Sequence, residues 1–239
     1  MRCELEKVAT RRKTIFGALQ TKLPEDLTVI ETGKNFPIKF DSPFYATGSS
    51  LKTILRDAGK PGEAVLKEVD PARRYVVVPH ATSRTQLQAG ELTISAPSYT
   101  YLAHELGHAL EHEEGLSGKL LHGPAPHYTA MAGGILGPLA GTVVGSLFKK
   151  PLYGALAGAG VGGALTGLGH LPMVYREGKA SDRGQKLLEA AGASPKELSA
   201  AQEAMGKAKS TYVRAAGMES LLGSLIGGVG GAISSMRHH

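Results

Sequence analysis

A chain of 239 residues, 42% of them hydrophobic, is long enough to bury a core, and its single cysteine, Cys3, excludes an internal disulfide and a thiolate metal cluster. The net charge of +6 suits anionic surfaces, but no long Lys/Arg run occurs and aromatic residues make up only 5%, so no nucleic-acid partner is expected. Glu4 and Glu6 lie early with no apolar run behind them, which does not read as a secretory signal.

In chain order, Arg11, Arg12 and Lys13 precede Ile15, Phe16 and Leu19, a short basic amphipathic stretch that reads as a surface helix. Residues 49–58, closed by Gly59, form a predicted helix with Leu51, Ile54 and Leu55 inward. Tyr75, Val76, Val77 and Val78 make a β-branched run expected to be a buried strand, stopped by Pro79. Residues 91–95 alternate polar and apolar, as a half-buried strand does. Pro97-Ser98 then opens a helix whose apolar stripe is Leu102, Leu106, Ala109 and Leu110, with Gly115 as its stop.

From Thr129 to Phe148 there is no charged side chain, and Lys149-Lys150-Pro151 separates this run from a second one, Leu152 to Met173. Each is long enough to cross a bilayer. Gly133, Gly137, Gly141 and Gly145 recur every fourth residue, as do Gly154, Gly158 and Gly162, and then Gly223, Gly227 and Gly231. That spacing puts glycines on one helix face, where backbones approach closely in lipid or in a homo-oligomer. Residues 174–191 return to an amphipathic helix ended by Gly192. Ser194-Pro195-Lys196-Glu197 is a capping box opening a polar helix to about Ala216.

The chemistry centres on His104-Glu105-Leu106-Gly107-His108. Residues four apart share a helix face, so His104 and His108 can meet one ion, while Glu105 is placed to take a proton from metal-bound water. This is the H-E-x-x-H signature of a catalytic zinc site. Gly107, small and between the ligands, lets a neighbouring element approach the metal. An incidental histidine pair on a surface helix is the competing reading. A catalytic zinc needs a third protein ligand. His112 continues the spacing but lies a further turn along, Glu114 stands where an extended pattern requires a third His, and His122 and His127 fall in a Gly/Pro-containing stretch.

The downstream stretch Glu177-Gly178-Lys179-Ala180-Ser181 supplies another candidate. Together with H-E-x-x-H it resembles membrane zincins of the HtpX and CAAX-processing type, which carry Glu-x-x-Ala-Asp on a later helix, often with membrane helices between the two motifs. The Glu-x-x-Ala-Ser of YugP-like neutral zinc peptidases is more similar still. The resemblance covers roughly residues 98–192 and implies that Glu177 is the third zinc ligand. Ser181 replaces the Asp of the first pattern, and Asp182 is a candidate to substitute for it. If the three ligands share one ion, residues 128 and 174 lie on the same side of any membrane, which two crossings satisfy.

The expected fold is α+β, mostly α: a zincin-like metallopeptidase core with a Gly-rich apolar, membrane-inserted helical hairpin between the H-E-x-x-H helix and the third-ligand helix. The expected segments are 1–128, 129–173, 174–216 and the Gly-rich 217–239. The implied activity is zinc-dependent hydrolysis of a peptide or protein substrate, with Glu105 as base and the soluble catalytic part on one side of a membrane. His80 and Tyr175 are candidates to stabilise the oxyanion, and the strand at 91–95 to pair with substrate. The alternative is a membrane-active or assembly protein, such as a viral component, whose zinc site is structural or vestigial.

Overall fold

The computed structural model describes residues 2–21, 23–32, 43–58, 65–79, 84–89, 92–111 and 125–236. It is mostly helical with a small sheet. The chain divides into two compact units, Met1–Glu114 with Glu177–Ala208, and Gly115–Arg176 with Lys209–His239.

In the first unit, β1 (Leu27–Thr32) pairs in parallel with β3 (Arg74–Pro79), and β2 (Phe44–Thr47) pairs antiparallel with β3 on its other side. β3 is therefore central and buried on both faces, which is why its sequence is continuously apolar rather than alternating. On one face Val76 and Val78 pack with Ile15, Phe16 and Leu19 of α1 (Arg2–Gln20) and with Leu102 and Leu106 of α3 (Ser98–Glu111). On the other, Tyr75 and Val77 meet Leu51 and Leu55 of α2 (Gly48–Asp57). Ile54, expected inward, is 36% exposed, because Leu51 and Leu55 fill that face and Ile54 falls at its margin. Thr47 caps α2 by accepting from the Ser50 N–H. A separate hairpin joins β4 (Arg84–Ala89) to β5 (Leu92–Pro97). Gly59, Glu91 and Gly115 lie outside the described residues.

Arg74 fastens the sheet to α3. Its guanidinium is buried, donates twice to the Asp26 carboxylate at 2.6 Å, and reaches the Ala109 carbonyl oxygen at 2.8 Å. A buried charge needs such partners, and these fix the last turn of the helix that carries the H-E-x-x-H sequence.

The later chain forms fewer and longer helices than its polarity suggests: α4 (Ala125–Phe148), α5 (Pro151–Ala190) and α6 (Pro195–Met236). The change from apolar to amphipathic character near residue 174 does not break α5, and Pro172 lies inside it. α6 likewise runs past Ala216 to Met236. Gly192 does end its helix as expected, with φ of 78°. The capping box forms too: the Ser194 N–H donates to Glu197 Oε2 at 2.7 Å, and the Glu197 N–H to Ser194 Oγ at 3.4 Å.

The second unit is built on glycine. A Cβ on Gly137 would lie 2.9 Å from both Gly158 O and Gly227 Cα, and one on Gly231 2.9 Å from Gly141 Cα. α4, the first part of α5 and the last part of α6 thus meet backbone to backbone. α5 and α6 are long and apolar enough to cross a membrane, and Ala132–Phe148 is a shorter apolar stretch.

Candidate metal centre

α3 presents His104 and His108 on one face, their rings 4.8 Å apart and edge to face. Across from them α5 brings Glu177, whose carboxylate spans both rings: Oε2 lies 3.2 Å from His104 Nε2 and Oε1 3.4 Å from His108 Nε2. The three side chains are largely buried, and their ligand atoms lie within 4.8 Å of one another. This is the one such cluster among the described residues. The two nitrogens and one carboxylate, with their ligand atoms within 4.8 Å of one another, are a donor set that could hold a metal ion.

The close approach of the two helices follows from small residues. A Cβ on Gly107 would lie 2.9 Å from Ala180 Cα, and one on Gly184 2.9 Å from Ala103 O. Gly107 therefore gives the contact expected of it, with fully buried Ala180 as its counterpart. Gly184 adds a second crossing point, for which the sequence carries no local signal.

Ser181 lies behind His104. Its hydroxyl donates to the Glu177 carbonyl oxygen at 2.8 Å and stands 3.3 Å from His104 Nδ1. With the one hydroxyl proton directed to that carbonyl, Oγ is an acceptor for Nδ1–H, while the Glu177 carboxylate is an acceptor for Nε2–H on the other side of the ring. An ion at Nε2 would take the place of that second proton. Ser181, rather than the exposed Asp182, fills the orienting position. Glu105 is partly buried, and its carboxylate accepts from the Tyr45 backbone N–H on β2. That neighbour was not identified from the sequence, since nothing local links residues 45 and 105.

The electrostatics follow from burial and proximity. Burial raises the Glu105 pKa, against the lowering influence of both histidines. Burial also disfavours charge on Glu177, but hydrogen bonds to His104 and His108 prevail and hold it down to about 2. For His104 burial disfavours the protonated ring, yet the bond to Glu177 and the nearby carboxylates raise its pKa. Neighbouring groups are thus pushed apart in proton affinity, a pattern that marks functional sites.

Tyr175 belongs to the second unit and is 55% exposed. His80, His112 and His122 lie outside the described residues, as does the side chain of His127. Comparison with protein-family models, curated proteins and solved structures finds no match for this chain.

Proposed function

We propose that this protein is a membrane-attached zinc peptidase. The observation that carries the reading is the convergence of Glu177, 73 residues from His104, on both histidines, with Glu105 beside them and Ser181 behind His104. His104, His108 and Glu177 would hold the ion. Bound zinc would polarise the scissile carbonyl and lower the pKa of its water.

Glu105 accepts a proton at its carboxylate and passes it to the leaving amine; a base whose proton affinity is raised by burial suits both halves of that task. With the ion bound, Ser181 would hold the His104 proton on Nδ1 and so leave Nε2 to the metal, and Glu177 would offset the positive charge. A peptide substrate lies along β2 in this reading. Among the described residues β1 and β2 are both outer strands of the three-stranded sheet and β5 pairs on one edge only, with β4; β2 is the strand whose Tyr45 N–H meets Glu105. An extended peptide alongside β2 would place a carbonyl next to the base.

The test is metal content of the purified protein, then casein hydrolysis by wild type and Glu105→Gln. Zinc bound by both, with turnover lost in the variant, is expected. Zinc without Glu105-dependent hydrolysis would favour an assembly role with a structural centre.

A further inference from the structure

We infer that the chain crosses the bilayer three times, through α4, the first part of α5 and the last part of α6, and that lipid surrounds the second unit. The Lys149–Lys150 turn and the end of α6 then lie across the membrane from the metal centre. This deepens the membrane attachment in the reading above and does not depend on the chemistry of the centre.

The first observation is an inverted packing order. Glycines fill the interior of the unit, while Ile135, Leu139, Leu156, Leu225 and Val229 point outward, and Leu147 reaches 74% exposure. In water the hydrophobic effect would drive those large side chains inward. In hydrocarbon that drive is absent, and close backbone packing through small residues holds the helices together instead. The outward apolar side chains occur on all three helices, which suits a surrounding solvent better than a single docked partner.

The second observation is length against charge. Thr129–Phe148 and Pro151–Tyr175 carry no Lys, Arg, Asp or Glu, and Ala215–Met236 carries only Glu219. At about 1.5 Å per residue each stretch is about 30 Å or longer, the thickness of the hydrocarbon layer. Glu219 does not face lipid alone: its Oε2 lies 2.6 Å from His170 Nε2 on α5. Beside it, Ser220 Oγ donates to the Gly163 carbonyl oxygen at 2.8 Å. Polar groups inside a bilayer are expected to find each other in this way.

The third observation sets the direction of each span. Moving up α4 from Gly133 through Gly137 to Gly141 meets Gly162, Gly158 and Gly154 in descending order on α5. The same α5 glycines meet Gly223, Gly227 and Gly231 of α6 in ascending order, so α6 runs parallel to α4 and antiparallel to α5. Two crossings return the chain to the side of residues 177–208, and the third carries it away again.

The experiment places single cysteines in a Cys3→Ser background at Lys150, Met236, Val229 and, as reporter for the metal-bearing unit, Lys196. Spheroplasts and inverted membrane vesicles are treated with a membrane-impermeant maleimide. Lys150→Cys and Met236→Cys should label in the same preparation and Lys196→Cys in the opposite one. Val229→Cys should be protected in both until detergent is added. Met236→Cys labelling together with Lys196→Cys would overturn the third span. Full solubility without detergent, as monomer or as oligomer, would overturn the lipid-facing surface. Neither result bears on zinc content or on Glu105-dependent hydrolysis, which are measured separately.

Discussion

Gly107 on α3 and Ala180 on α5 approach so closely that a Cβ on the glycine would lie 2.9 Å from Ala180 Cα and nearer still to its carbonyl oxygen. Glu177 sits three residues before Ala180 on the same helix, so this crossing sets the distance from Glu177 to both histidines. Gly107→Ala must push the helices apart or shift the α5 backbone. It should cost about 1–3 kcal/mol of stability through overpacking and weaken zinc binding as well. Gly206→Ala, on α6 with open space around the position, should instead stabilise by about 0.5–1 kcal/mol. Thermal unfolding and zinc titration of the two variants check this; unchanged zinc affinity in Gly107→Ala would separate the crossing from the site.

Glu177→Gln keeps the shape of the side chain and removes its charge. If Glu177 is a ligand, zinc affinity should fall at least about tenfold, whereas Glu189→Gln, exposed on the same helix, should leave it unchanged. His104→Ala and His108→Ala should each abolish binding. Equal zinc affinity in Glu177→Gln and wild type would return attention to His112, His122 and His127.

Much of this organisation was legible in the sequence where local chemistry decides it. The run Val76–Val78 reads as a buried strand and Ser194 with Glu197 as a cap, and both form. Helix lengths are less legible, because a change of polarity reports the surroundings of a helix, not a break in its backbone; α5 and α6 each continue through such a change. Leu51 and Leu55 were readable from their spacing, but Ile54 sits at the edge of the stripe and packing placed it outside. The approach of Glu177 to His104 has no local signal at all. Only the resemblance of two short motifs pointed to it, and the roles of Tyr45 and Gly184 depend on tertiary contacts that no spacing encodes.

A pH prediction follows from the Arg74 clamp. Its hydrogen bonds hold the Asp26 carboxylate below the ordinary range, against a smaller opposing effect of burial. A depressed carboxylate contributes stability that is present above its unfolded pKa, about 3.9, and is lost as pH falls through the lower folded value. Asp26→Asn should therefore destabilise the protein at neutral pH by about 1 kcal/mol, a figure discounted because the carboxylate is half exposed. The difference from wild type should shrink steadily below about pH 4. Thermal midpoints across pH 3 to 7 on the order of every half unit would show it; a constant difference would mean that Asp26 acts through shape rather than charge.

The last prediction concerns Ser181, whose hydroxyl sits between the Glu177 carbonyl oxygen and His104 Nδ1. Its bond to the carbonyl is a local one within α5, and losing it should alter stability little. The contact with His104 differs, because the acceptor at Nδ1 decides which ring nitrogen carries the proton and so which is left bare for a metal. Ser181→Ala removes that acceptor, and the Glu177 carboxylate then draws the proton of the neutral ring to Nε2, the nitrogen the metal needs bare. Zinc affinity should fall by about 10–100-fold, the range typical of losing a group that orients a ligand histidine. Ser181→Thr, which keeps a hydroxyl on the same Cβ, should restore most of it. Nitrogen chemical shifts of the His104 ring in metal-free protein, recorded above the pH at which it titrates, give an independent reading: the tautomer balance should move toward Nε2–H, the nitrogen facing Glu177, in Ser181→Ala relative to wild type and Ser181→Thr. An alanine variant with wild-type zinc affinity and an unchanged tautomer would show that the ring is fixed by its packing against α5 alone.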